Sequence, residues 1–231
     1  MTETEDTIMS ASQNELIEQL LKKLATIDYI KPGEFPNIDL YMDQVTTFMN
    51  AHLSDFKLNP DEKTLTKTMI NNYAKNNLLP PPVKKKYSKE HMIVLTFIYY
   101  FKNILSISEI QDMLTPLTNK FFSLEGNSGG LSMEYVYNEV FATIKSQLST
   151  ISQDTSAKIK AYSKHFEKVK DESEREFLQT FSMICMLGFD VFLKKQIIQS
   201  LIASIAPEKS DAKKEPPKKE AKKESKPEKS E

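Results

Sequence analysis

Lys67, Thr68, Asn71, Asn72 and Lys75 fall within nine residues of one another, in the stretch TKTMINNYAK. These side chains are of the types that read base edges. Asparagine makes paired hydrogen bonds to adenine, lysine reaches guanine or phosphate, and threonine meets either. At helical spacing Lys67, Asn71 and Lys75 stack on one stripe, with Thr68, Asn72 and Asn76 beside it. Ile70, Tyr73 and Ala74 share the opposite face. An ordinary solvated helix face has the same pattern, so the helix alone does not decide the matter. A second group follows closely, the adjacent Lys84, Lys85 and Lys86 with Tyr87. Three neighbouring lysines suit phosphate contacts, although a lysine run also serves solubility.

Particular elements must hold these groups in place. Thr66 is a good N-cap, so a short helix is expected from Lys67 to about Asn76. Pro80, Pro81 and Pro82 exclude helix and favour a stiff, extended segment carrying the lysines. Ser88-Lys-Glu-His91 then opens a helix to about Asn103, with Ile93, Val94, Phe97, Ile98 and Phe101 as core residues. Upstream, a helix from about Asp39 to Leu53 turns Val45, Phe48 and Met49 inward. Ser106 or Ser108 caps a short helix, Glu109 to Leu114, closed by Pro116. The expected arrangement is a helix, a turn, a reading helix at 67–76 and a basic wing at 80–88.

The flanks are read in the same way. Residues 1–10 are expected to be disordered, and a helix at 11–30 opens at the capping box Ser12-Gln-Asn-Glu15. LEGNSGG is read as a plain loop between a first domain, 35–116, and a helical region, 131–206. That region holds helices from Ser132 to about Ser149, from about Thr155 to Asp171, and from Arg175 to Ile205. In the last of these Phe177, Phe181, Ile184, Gly188, Val191, Lys195, Ile198, Ile202 and Ile205 recur in steps of four and three, as in a coiled-coil seam. Phe189 and Phe192 widen the apolar surface. Such a helix is central to the domain or part of a homodimer. Phe177, Phe181, Met183, Met186, Phe189 and Phe192 can also line a ligand pocket, with core packing the simpler account of the same residues. Residues 207–231 are almost all Lys, Glu, Pro, Ser and Ala, so a disordered tail is expected.

Composition narrows the classes. Only five glycines occur, alternating β-branched runs are missing, and an all-α fold is expected. The formal charge of −1 hides an uneven spread: residues 1–56 sum to −7, residues 57–102 to +6, residues 103–206 to −2 and the tail to +2. The basic block is the lysine-bearing stretch with its flanks, and local charge is what an anionic partner feels. One cysteine, Cys185, allows no internal disulfide and is read as a small buried hydrophobe. His52, His91 and His165 lie far apart, and His91 is read as a solvated residue at a helix start. No nucleophile–base pair or ligand cluster is found, so no enzyme and no cofactor or metal is expected. No signal peptide is read at the N-terminus. The run Phe181 to Leu193 falls short of the ~20 residues of a membrane span. A cytoplasmic protein without a membrane partner follows as the expectation.

TKTMINNYAKNNLLPPPVKKKYS followed by LSISEIQDML resembles the DNA-binding domain of MerR-type transcription regulators. Tyr73, Leu78, Leu79, Pro81, Tyr87, Ser88, Ile107, Glu109 and Ile110 fall where that pattern has its tyrosine, Leu-Leu turn, wing end and following helix. Asn71 and Asn72 stand where the family has an arginine and a tyrosine, and Asn77 stands where glycine is usual. With NIDLYMDQVTTFM included, roughly residues 35–206 are similar to a bacterial family known as domain of unknown function 1836. The resemblance implies a MerR-like winged helix-turn-helix and double-stranded DNA as partner. The alternative is an interaction module on the same scaffold that no longer reads DNA.

Overall fold

The computed structural model describes residues 15, 17–23, 25–54, 64–122, 131–162 and 164–206. The all-α expectation holds: the long elements are all helices. After a helical segment at 17–23 and 25–26 come a 3-10 turn at Pro32–Glu34, strand β1 (Leu40–Tyr41) and helix α1 (Met42–Leu53). Helix α2 is Lys67–Lys75, strand β2 is Lys86–Tyr87 and helix α3 is Lys89–Phe101. Helices α4 (Ile107–Phe121), α5 (Met133–Tyr162) and α6 (Glu172–Ile205) complete the elements of the described residues. The expected disorder at 1–10 and 207–231, the Ser12 cap and the LEGNSGG loop lie outside the described residues.

Helix α3 is the centre. Nine consecutive residues, His91 to Tyr99, are buried on every side of it, as befits a helix enclosed by neighbours. Val45, Met49 and Leu53 of α1, Ile70 and Tyr73 of α2, and Ile110 and Leu114 of α4 pack into the same core. Met133, Tyr137 and Phe141 of α5 join it, and so does Ile202 of α6. One buried cluster therefore runs from Ile30 to Ile202 and takes in residues on both sides of positions 123–130.

The caps explain most helix starts. The Thr66 hydroxyl accepts from the Met69 N–H at 3.2 Å. Ser106 and Glu109 form a reciprocal capping box at 3.2 and 2.7 Å. Ser132 accepts from Tyr135 N–H at 3.1 Å, and Asp171 from Glu174 N–H at 2.8 Å.

Two helix ends depart from expectation. Pro116 lies inside α4 and does not close it. Leu117 and Phe121 beyond it pack against the core, and that burial offsets the roughly 3 kcal/mol of an interior proline. Helix α5 runs unbroken through 149–155 to Tyr162, where two helices were expected. Its serines and threonines bond back to the preceding turn, Ser146 to Thr143 O at 2.7 Å and Thr155 to Ile151 O at 2.8 Å. They break no backbone bond by doing so. The chain turns at 164–168, with Phe166 left-handed at φ 63°.

The largest correction concerns α6, which is not central to the domain. Phe177 is 67% exposed and Ile184 63%, and Phe181, Phe189 and Phe192 are also exposed. Cys185 is exposed, not buried. Ile198 is half-buried against the core, and Ile202 is the buried residue of this helix. A ligand pocket walled by these phenylalanines is therefore not formed: they face outward. Helix α6 is also long and apolar enough to cross a membrane, by length and composition alone, where the shorter apolar run had suggested otherwise.

Candidate nucleic-acid interface

Helix α2 turns Ile70 and Tyr73 into the core and leaves Lys67, Thr68, Asn71, Asn72 and Lys75 exposed. At 100° per residue those five side chains occupy an arc of about 140°. The helix ends in a Schellman motif. Leu78 N–H donates to Tyr73 O at 2.9 Å and Asn77 N–H to Ala74 O at 3.2 Å, with Asn77 left-handed at φ 56°. Asparagine tolerates that conformation better than most side chains. Leu78 and Leu79 are then buried, which anchors the segment that follows.

That segment ends in a hairpin no sequence pattern had indicated. Val83 and Lys86 exchange both backbone hydrogen bonds, at 3.1 and 2.9 Å. Between them Lys84 and Lys85 both have positive φ, 50° and 65°, the type I′ arrangement of a two-residue turn. Asn-Gly is the usual occupant of such a turn. Lysine in this region costs roughly 1–2 kcal/mol per residue. The chain thus holds two exposed lysines at a strained tip. Lys84→Asn/Lys85→Gly is expected to stabilise the fold by about 1–2 kcal/mol in urea denaturation while removing both tip charges.

The hairpin is tied to α1. Strand β2 pairs antiparallel with β1, Leu40 opposite Tyr87 and Tyr41 opposite Lys86. The Lys86 ammonium lies 5.3 Å from the centre of the Tyr41 ring, and Lys67 forms an ion pair with Asp43. Tyr41 and Asp43 are two residues apart, at most about 7 Å along the chain. The head of α1 therefore brings the start of α2 and the base of the hairpin together. It also sets an acid among the lysines and partly neutralises Lys67.

Tyr87 needs correction as a phosphate contact. It is 3% exposed and lies edge-on to His91 at 5.4 Å, so its ring is core. His91 is likewise buried, not solvated. It packs edge-on against Phe122 at 4.8 Å, and its Nδ1 accepts from the Ser88 N–H at 3.0 Å. Burial pulls the imidazole pKa down. The Pro81 and Pro80 carbonyls, Glu90 and Asp39 pull it the other way without prevailing. The folded state thus prefers neutral His91, and protons favour the unfolded chain. Stability from this group is complete above about pH 6.5 and declines as pH falls below it. His91→Gln keeps a capping-box acceptor for Ser88 N–H and cannot titrate. The variant is expected to flatten the fall in thermal midpoint between about pH 6.5 and 5.

The family model of DUF1836, a domain of unknown function, matches residues 30–141. The match is shorter than the 35–206 suggested by resemblance. It ends at Phe141, the last buried residue of α5, so it takes in α1 to α4 and the part of α5 that fills their core. No curated protein and no solved structure matches the chain.

Proposed function

We propose that this protein binds double-stranded DNA as a transcription regulator, with α2 in the major groove and the Lys84–Lys85 tip on phosphate. On this reading α1 and α2 are the helix pair of a MerR-like winged helix-turn-helix, and residues 80–88 are its wing. The observation that carries it is the pairing of an exposed Lys/Thr/Asn face on α2 with a strained hairpin tipped by Lys84 and Lys85. Nothing in the packing requires lysine at that tip. The exposed face of α6 would pair two copies, so that two half-sites lie about one helical turn apart or a multiple of that. An ion pair between Asp190 and Lys158 and a hydrogen bond from Gln199 to Glu109 tie α6 to α5 and α4, which favours a protein surface over a bilayer for it.

The test is binding of DNA fragments by the purified chain at two salt concentrations. Affinity should fall steeply with salt, by roughly 0.9 in log–log slope per phosphate contact. Absence of binding at low salt would favour the second reading, a protein-interaction module. One observation supports that alternative: Lys67 is already paired with Asp43.

A further inference from the structure

A groove of about 450 Å³ opens between residues 21–29, the last turn of α3 and the middle of α5. Its walls include Ile27, Phe97, Phe101, Phe141, Ile144 and Leu148. We propose that this groove binds a neutral, largely hydrocarbon small molecule. The volume lies in the range of ligand sites, and a hydrocarbon ligand would take these apolar walls out of water.

The wall chemistry selects the charge. Asp28 and Lys145, the charged residues named on the groove wall, are paired with each other, and Asp28 also holds Lys31, which lies off the wall. The Ser152 hydroxyl donates to Leu21 O at 3.3 Å and that of Thr155 to Ile151 O at 2.8 Å. An ionised ligand would lose its hydration and find these groups already engaged, an uncompensated cost. The sequence at either end, outside the described residues, is poor in large apolar side chains. Residues 1–14 contain Glu3, Glu5 and Asp6 with only Met1, Ile8 and Met9 as large apolar residues, and residues 207–231 contain no large apolar side chain.

The same turn of α3 mounts the DNA-facing helices, so the ligand would act as an effector; this part rests on the DNA-binding reading. Tyr99 OH donates to Leu53 O, at the end of α1, at 3.4 Å. Lys102 Nζ donates to Thr64 O, two residues before the cap of α2, at 3.1 Å. Tyr100 and Phe101, between Tyr99 and Lys102, line the groove together with Phe97, so filling it bears on both mountings.

The experiment titrates the full chain with N-phenyl-1-naphthylamine, a neutral fluorescent probe, and then displaces it with 1-dodecanol or dodecanoate. Saturable binding is expected, with dodecanol displacing the probe at least about tenfold better than dodecanoate. Ile144→Trp fills the groove from a partly exposed position and should weaken binding by about tenfold or more. Phe181→Ser/Phe189→Ser, on the exposed α6 face, should leave it unchanged, and circular dichroism checks the fold of each variant. No saturable binding, equal displacement by dodecanoate, or loss of binding only in the α6 variant would each overturn the site. A DNA affinity unmoved by saturating dodecanol would overturn the effector role. A chain that binds the probe but no DNA would refute the regulator reading and leave the site standing.

Discussion

Tyr137→Ala is expected to cost about 3–5 kcal/mol, the range for deleting a buried aromatic side chain. Against a total of roughly 5–15 kcal/mol for a domain, that brings much of the population close to unfolding. Tyr137 is 0% exposed and meets four rings, Tyr29, Phe35, Phe97 and Phe141, at 4.5 to 6.1 Å between centroids. These rings come from the N-terminal segment, α3 and α5, so the residue joins parts of the chain more than a hundred positions apart. Tyr137→Phe separates size from polarity. The hydroxyl is buried without a hydrogen-bond partner, and its removal is expected to be neutral or to stabilise by about 1 kcal/mol. Urea denaturation of the two variants checks both statements. Equal destabilisation by Phe and Ala would mean that the hydroxyl has a partner and that ring packing is not the main contribution.

Lys84→Glu/Lys85→Glu is the second large effect. If the tip lies on phosphate, two contacts disappear and two repulsions replace them. The log–log salt slope should fall by roughly 1.8, and affinity near 0.1 M salt by roughly a hundredfold. Folding stability should move by no more than about 0.5 kcal/mol, because both side chains are exposed. Lys67→Ala makes the informative contrast. Its ammonium already faces Asp43, so its removal should weaken binding far less. Fluorescence anisotropy with labelled duplex over a salt series would measure all three. A charge-reversed tip that binds as the parent does would remove the hairpin from the interface.

Much of the local structure could be read from residue types. Thr66, Ser106 and Ser132 cap helices because a short hydroxyl side chain reaches the free N–H groups of a first turn. Ile70 and Tyr73 turn inward because they share a face. What escaped the reading depended on tertiary contacts. Two positive-φ lysines carry no local signal, since a type I′ turn is normally announced by Asn-Gly. Lys84 and Lys85 adopt it because Val83–Lys86 and the β1–β2 ladder close around them. Pro116 looked like a stop because its cost is local, whereas the packing of Leu117 and Phe121 that offsets it is not. His91 and Tyr87 looked like surface groups beside three lysines, and only the packing of α3 against Phe122 buries them. Helix α6 was misjudged in the opposite direction: its periodicity was visible, but periodicity does not say whether a face finds its partner within the same chain.

Helix α6 is about 51 Å long, and its bare side carries Phe177, Phe181, Phe189 and Phe192. Chaperones and proteases recognise damaged proteins by exposed apolar segments of this kind. To that machinery a folded copy with α6 uncovered resembles a misfolded one. Whatever covers the helix would then also set how long each molecule survives. The amount of protein in the cell would follow the supply of its cover more closely than the rate of its synthesis, and copies made in excess would be cleared first.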